Sequence, residues 1–181
     1  MRTGPVLVTA TLLLVLTGCV PPSGHPSMSP SESATPVFSS NAEALAAAEK
    51  AYAAYLKVSD EIANDGGKDP KRLDGLATGS LLSDDLAGFA SFAAKRWHSV
   101  GASQLTNTIL QSANLEPDGK GTVIVYLCED VSGVDVLDEN DVSVISAGRP
   151  KLQQFQVQLE VSRSKLIPSE REPWTGSGIC G

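Results

Sequence analysis

The chain has 181 residues, with 21 acidic against 14 basic side chains and a formal net charge of −7. Its acidic residues run along the whole length, so no basic stripe is offered to a phosphate backbone or to anionic lipid headgroups, and the charge argues against nucleic acid as a partner. Length and a 5% aromatic content suit one domain with a mainly aliphatic core.

Arg2, an apolar run from Val6 to Leu16 and the sequence Leu16-Thr17-Gly18-Cys19 open the chain. Small residues ahead of a cysteine suit cleavage beside an acylated residue, so 1–18 reads as a lipoprotein signal peptide and Cys19 as the lipid-modified N-terminus. The alternatives are an ordinary secretory signal with a coincidental cysteine and an uncut anchor. An apolar run of roughly a dozen residues is too short for a ~30 Å hydrocarbon core, which disfavours the anchor. Two or more acyl chains, at ~0.8 kcal/mol per buried methylene, hold a protein on the bilayer permanently. The expected location is the extracytoplasmic face of a cell membrane, with attachment through the N-terminal lipid.

Residues 19–40 form the expected tether. Pro21, Pro22, Pro26, Pro30 and Pro36 alternate with Ser, Thr and Gly, and the segment has too few bulky apolar groups to offset its ordering entropy. Such a tether reaches ~25 Å as a coil and ~60 Å as extended polyproline. His25 lies within it as a solvated side chain.

The globular domain is expected over 41–181. Ser40 and Glu43 have capping-box spacing, and Leu45, Ala48, Tyr52, Tyr55, Leu56, Ser59 and Ile62 follow as one stripe of a helix that ends at Asn64-Asp65-Gly66-Gly67. Asp69-Pro70 predicts a cap and first position of a short second helix through Leu76. Leu82, Leu86, Phe89, Ala93 and Trp97 predict a third helix over Leu81–Trp97, acidic at its start and basic at its end.

After Gly101 the period changes. Leu105, Ile109, Ala113 and Leu115 predict one side of a strand, and Pro117–Gly121 a turn into the doubly apolar strand Thr122–Cys128. Asp138–Asp141 predicts a turn before a strand at Val142–Ile145. Phe155, Val157, Leu159 and Val161 alternate with glutamines and Glu160, as in a strand with one wet face, and Lys165–Ile167 predicts another.

With Cys19 acylated, Cys128 and Cys180 are left as an even pair, and a disulfide is the default in an oxidising compartment. Its loop of about fifty residues corresponds to ~4 kcal/mol on the chain-entropy model, and it would pin the C-terminus. Close Cys-x-x-Cys spacing and a neighbouring histidine are missing, which disfavours a metal or redox pair.

Helices followed by antiparallel strands predict an α+β domain: three N-terminal helices packed on a curved antiparallel sheet. Over Asn41–Gly181 the chain resembles the nuclear transport factor 2-like cone, and within it poorly characterised actinobacterial lipoproteins. The resemblance is carried by the element order, Trp97-His98-Ser99-Val100-Gly101, Cys128-Glu129-Asp130-Val131-Ser132, and the terminal Trp174 with Cys180. It implies a cavity between helices and sheet, with Tyr52, Tyr55, Trp97 and Phe155 as candidate walls. On their own, tyrosines on such a stripe read equally as core.

Motifs for chemistry are few. His98, the domain's sole histidine, is expected as a cap at the end of the third helix, with a general base as the competing reading. Asp130, Asp135 and Asp138–Asp141 are oxygen-rich but lack the EF-hand pattern and read as a solvated turn; no metal site is assigned. Gly176-Ser177-Gly178 does not match a nucleophile elbow. Phosphate loops, dinucleotide fingerprints and zinc motifs are absent, so no cofactor is assigned. The inward row of Phe155, Val157, Leu159 and Val161 carries no titratable group. The expectation is a non-enzymatic envelope module binding a partner protein or a small apolar ligand. Two alternatives stand beside it: a pocket enzyme using His98, and an accessory subunit of an envelope transport assembly.

Overall fold

In a computed structural model the described residues are Gly4 and 38–181, without Pro117, Arg163 and Ser164. The signal peptide other than Gly4, Cys19 and the tether up to residue 37 lie outside the described residues. The chain divides into two units, Met1–Glu32 and Ser33–Gly181, and the second contains everything that follows.

Helix α1 spans Asn41–Asn64. Ser40 Oγ accepts the N–H of Glu43 at 3.2 Å, while Glu43 Oε2 reaches back to Ser39, accepting from its N–H and its hydroxyl at 2.6 Å each. Both cap partners are therefore present, with the return bond made one residue earlier than a standard box makes it. The buried stripe is Ala44, Ala48, Tyr52, Tyr55, Leu56 and Ile62. The helix ends where Gly67 turns with φ +77°, and a β-carbon there would collide with the Phe89 carbonyl of the second helix. Glycine is thus required both by the turn and by the close approach.

The expectation of three helices on one curved sheet, and with it the cone architecture, is overturned. There are two α-helices, α1 and α2 (Gly79–Lys95), and two antiparallel sheets. Asp69-Pro70 opens only a single 3-10 turn, Pro70–Leu73. Asp69 sits in the left-handed region at φ +50° and its side chain makes no cap bond, so nothing extends the turn once Leu73 is buried. Helix α2 starts two residues before Leu81 and stops before Trp97, because Arg96 adopts φ +54°.

His98 consequently leaves the helix and opens strand β1 (His98–Val100). The remaining strands are β2 (Gln104–Leu115), β3 (Gly121–Asp130), β4 (Asp135–Leu137), β5 (Leu152–Ser162) and β6 (Lys165–Pro173). The order β2-β3-β5-β6 makes the larger sheet, and β1 pairs with β4 as a separate ribbon. Val142–Ile145 is not a strand: only Ser143 bridges Leu137, and Val142 is 58% exposed.

The predicted face of β2 is also corrected. Bulges at Thr106 and Gln111 each shift the pleat by one residue, so Leu105, Leu110 and Ala113 face the core while Ile109 points to the other side, 41% exposed. In β3 and β5, Val123, Val125, Leu127, Val157 and Leu159 are completely buried under α1.

The C-terminal segment crosses the outer face of this sheet. Trp174 stacks on Tyr126 of β3 with centroids 4.3 Å apart, Asn107 of β2 donates to the Ile179 carbonyl at 3.0 Å, and Cys180 is bridged to Cys128. The disulfide joins positions 52 apart and pins the strap to the central strand.

Candidate functional site

The inner face of the sheet carries a polar cluster that the β5 row did not announce. The alternation Val123-Val125-Leu127 continues to Glu129, which is 3% exposed, and β6 places Arg171 on the same face opposite Val157. Tyr52 of α1 comes down between them. Its hydroxyl donates to Glu129 Oε1, and Arg171 Nη1 lies 3.4 Å from the Tyr52 oxygen and 3.7 Å from Glu129 Oε1. The guanidinium also sits 4.9 Å from the centroid of Phe155. Beside it Tyr55 donates to Asp85 Oδ2 of α2 at 2.9 Å, with the two tyrosine rings 5.3 Å apart.

Burial governs the protonation of this cluster. Desolvation pushes the Glu129 carboxyl above the ordinary carboxylate range, with Arg171 and the Tyr52 hydroxyl pulling the other way. Asp85 is raised by burial against the opposing bond from Tyr55. Burial, reinforced by Glu129, raises Tyr52 far above its ordinary value, and burial raises Tyr55 likewise. Tyrosine and carboxylate thus share protons in a closed space, and every buried side-chain polar atom among the described residues has a partner. With both tyrosines fully buried and Glu129 nearly so, no substrate reaches these groups. The cluster locks α1 and α2 onto the sheet.

Of the four candidate pocket walls, Tyr52 and Tyr55 are therefore interior and Phe155 joins them through Arg171. Trp97 is elsewhere. It lines an open depression of about 500 Å³ with Asn64, Lys68, Arg96 and His98, its ring covered by Lys95 Nζ at 4.2 Å. His98 Nε2 stands 3.6 Å from the exposed Asp141. The lining contains no hydroxyl or thiol, so a base here would have to act on a proton carried by the substrate itself.

The most apolar depression lies between α1 and β6. It encloses about 480 Å³ over Ala47, Ala51, Leu76, Leu166 and Ile167, with Phe38 also lining it and Lys50 and Lys165 supplying the charges. The acidic turn is occupied with its own backbone: Asp138 accepts from the N–H of Asn140 at 2.8 Å and of Val142 at 3.0 Å. Among the described residues no group of carboxylates, histidines and cysteines is arranged to hold a metal, and no helix is long and apolar enough to cross a membrane.

Glu129 and Arg171 were the signals missed by sequence reasoning. The period-two run into Glu129 was visible, but its partner is two strands away in the sheet, across β5, and only the topology joins them.

No family model matches the chain, and no curated protein matches it. Among solved structures it is similar to the intermembrane space region of the chloroplast protein ARC6, with a TM-score of 0.52 and 15% identity over 73% of this chain and 97% of that one. At that identity the likeness concerns the fold alone.

Proposed function

We propose that this is a lipid-anchored extracytoplasmic protein whose domain binds an apolar ligand bearing an acid group and performs no catalysis. The observation that carries this reading is the division of chemistry in the domain: Glu129, Asp85 and the tyrosines are enclosed and mutually satisfied, whereas the open α1–β6 groove is apolar and flanked by two lysines. Apolar walls with a few placed charges are the usual make-up of a small-molecule site. In a chain of net charge −7, Lys50 and Lys165 at this groove favour an anionic head on the ligand. The anchor is supported by cysteine bookkeeping: Cys128 and Cys180 bridge each other, which suits an oxidising compartment and leaves Cys19 free for acylation.

The test is titration with a fluorescent long-chain fatty acid and with its methyl ester. Saturable binding of the acid is expected, abolished by Ala51→Trp and weakened by Lys50→Glu with Lys165→Glu, while the ester is insensitive to the charge changes. Equal binding to wild type and Ala51→Trp rejects the reading.

A second reading, a pocket enzyme with His98 as base, is favoured by the 3.6 Å approach of Asp141 to His98 in an open depression. It requires a turnover that His98→Gln abolishes with the fold intact.

A further inference from the structure

The larger sheet has two edges, β2 and β6, and the sequence treats them differently. Strand β6 reads KLIPSEREP: it holds two prolines and four charges, is bulged opposite Gln158 and Leu159, and packs against α2. These are the devices that keep a strand edge from recruiting another chain. Strand β2 reads QLTNTILQSANL, twelve residues without a charge or a proline. Its bulges bound a regular run, Asn107–Leu110, and shorten the available ladder without covering it. Along this edge runs a trough whose other wall is α1, where Glu49, Ala53 and Lys57 stand beside Leu105, Thr106 and Thr108.

We propose that β2 is a self-association edge: two copies of the chain pair their β2 strands antiparallel about a twofold axis, extending one sheet into the other with both α1 helices along the seam. A second copy is selected by the charge order of the helix flank. Glu49, Ala53 and Lys57 follow at four-residue spacing, so they share one face of α1. An axis passing beside Ala53 sets Glu49 against the partner's Lys57, and by symmetry does so twice. Lys57 is free for this exchange, since its contact with Glu61 is 3.9 Å and both side chains are largely exposed. The chain carries a net charge of −7 and two copies repel over most of their surface; an uncharged strand beside a self-complementary stripe is where they meet without that penalty. Backbone pairing at the edge supplies the attraction, as in other cases of strand addition.

The experiment is sedimentation equilibrium of the full chain in detergent over a wide concentration range, with circular dichroism as the control for folding. A reversible monomer–dimer equilibrium is expected. Glu49→Lys turns both cross-axis pairs into like charges and should raise the dissociation constant roughly fivefold or more, as should Lys57→Glu. The double variant Glu49→Lys with Lys57→Glu should return it to the wild-type value, a restoration that a different partner surface would not give. Oxidation of Asn107→Cys should yield a crosslinked dimer, while Glu172→Cys on β6 should not. A monomer at every concentration, a double variant no better than the singles, or equal crosslinking from both edges would each overturn the proposal; the first would assign the edge to a strand of another polypeptide.

Discussion

Tyr52 on α1 donates its hydroxyl hydrogen to Glu129 on β3, joining helix and sheet inside the core. Arg171 stands against both partners. Removing a member leaves the others desolvated without compensation, and that asymmetry gives the first expected outcome. Tyr52→Phe keeps the ring and takes the donor from a buried carboxylate, so it should cost about 1–3 kcal/mol in urea unfolding. Arg171→Ala strands the carboxylate further and should cost about 2–4 kcal/mol, moderated by the partial exposure of the arginine. In combination with Glu129→Gln the Arg171→Ala loss should shrink. A full additive loss in the double variant would show that the three groups do not act as a unit.

The same cluster sets a pH dependence. Glu129, Asp85 and the half-buried Asp60 all have carboxyls raised by desolvation. A raised acid binds its proton more tightly in the folded state, so its contribution is complete below the ordinary carboxylate range and is lost as pH climbs through the folded value. The lowered carboxyls, Glu43, Asp118, Asp130 and Asp138, act in the opposite direction but are fully exposed and screened. The thermal midpoint should therefore hold or rise between neutral pH and pH ~5, and Glu129→Gln should flatten that trend. A wild-type midpoint that falls steadily over this interval would contradict the protonation scheme.

How far the sequence revealed this arrangement depends on whether the deciding contact was local. The start of α1 was legible because Ser40 and Glu43 are three residues apart and settle the helix end between themselves. The inner face of β5 was legible because no bulge interrupts its pairing with β3. Ile109 was assigned to the wrong side because two bulges, invisible to a period-two count, reset the pleat of β2. The second helix failed at one residue, Asp69, whose left-handed backbone no propensity argument supplies. Tyr52 and Tyr55 read equally as pocket wall or core, and only the placement of Glu129, Asp85 and Arg171 around their hydroxyls decides for core.

Acylation is tested at the other end of the chain. Cys19→Ala should block processing and lipid labelling, leaving precursor or released protein. Normal membrane retention and labelling of the variant would remove the anchor from the proposed function, without touching the fold of the domain.

The C-terminal strap gives the last expected outcome. Trp174 stacks on Tyr126 and its indole lies so close to Gly176 that a β-carbon there would collide with the ring. Ile179 is 6% exposed, and its N–H and carbonyl are bonded to Gln154 and Asn107, so the strap is packed along its length and not merely tied at Cys180. Replacing Cys128 and Cys180 together by Ser should cost at most ~4 kcal/mol on the loop-entropy argument, since the cross-link acts on the unfolded chain while the packing remains. Gly176→Ala acts on the packing instead: it should shift the Trp174 emission and raise its accessibility to a quencher with the disulfide still formed. Combining the two changes should free the strap, because neither the covalent tie nor the clasp of the indole remains. Unchanged Trp174 emission in the combined variant would mean that the outer face holds this segment by contacts other than these.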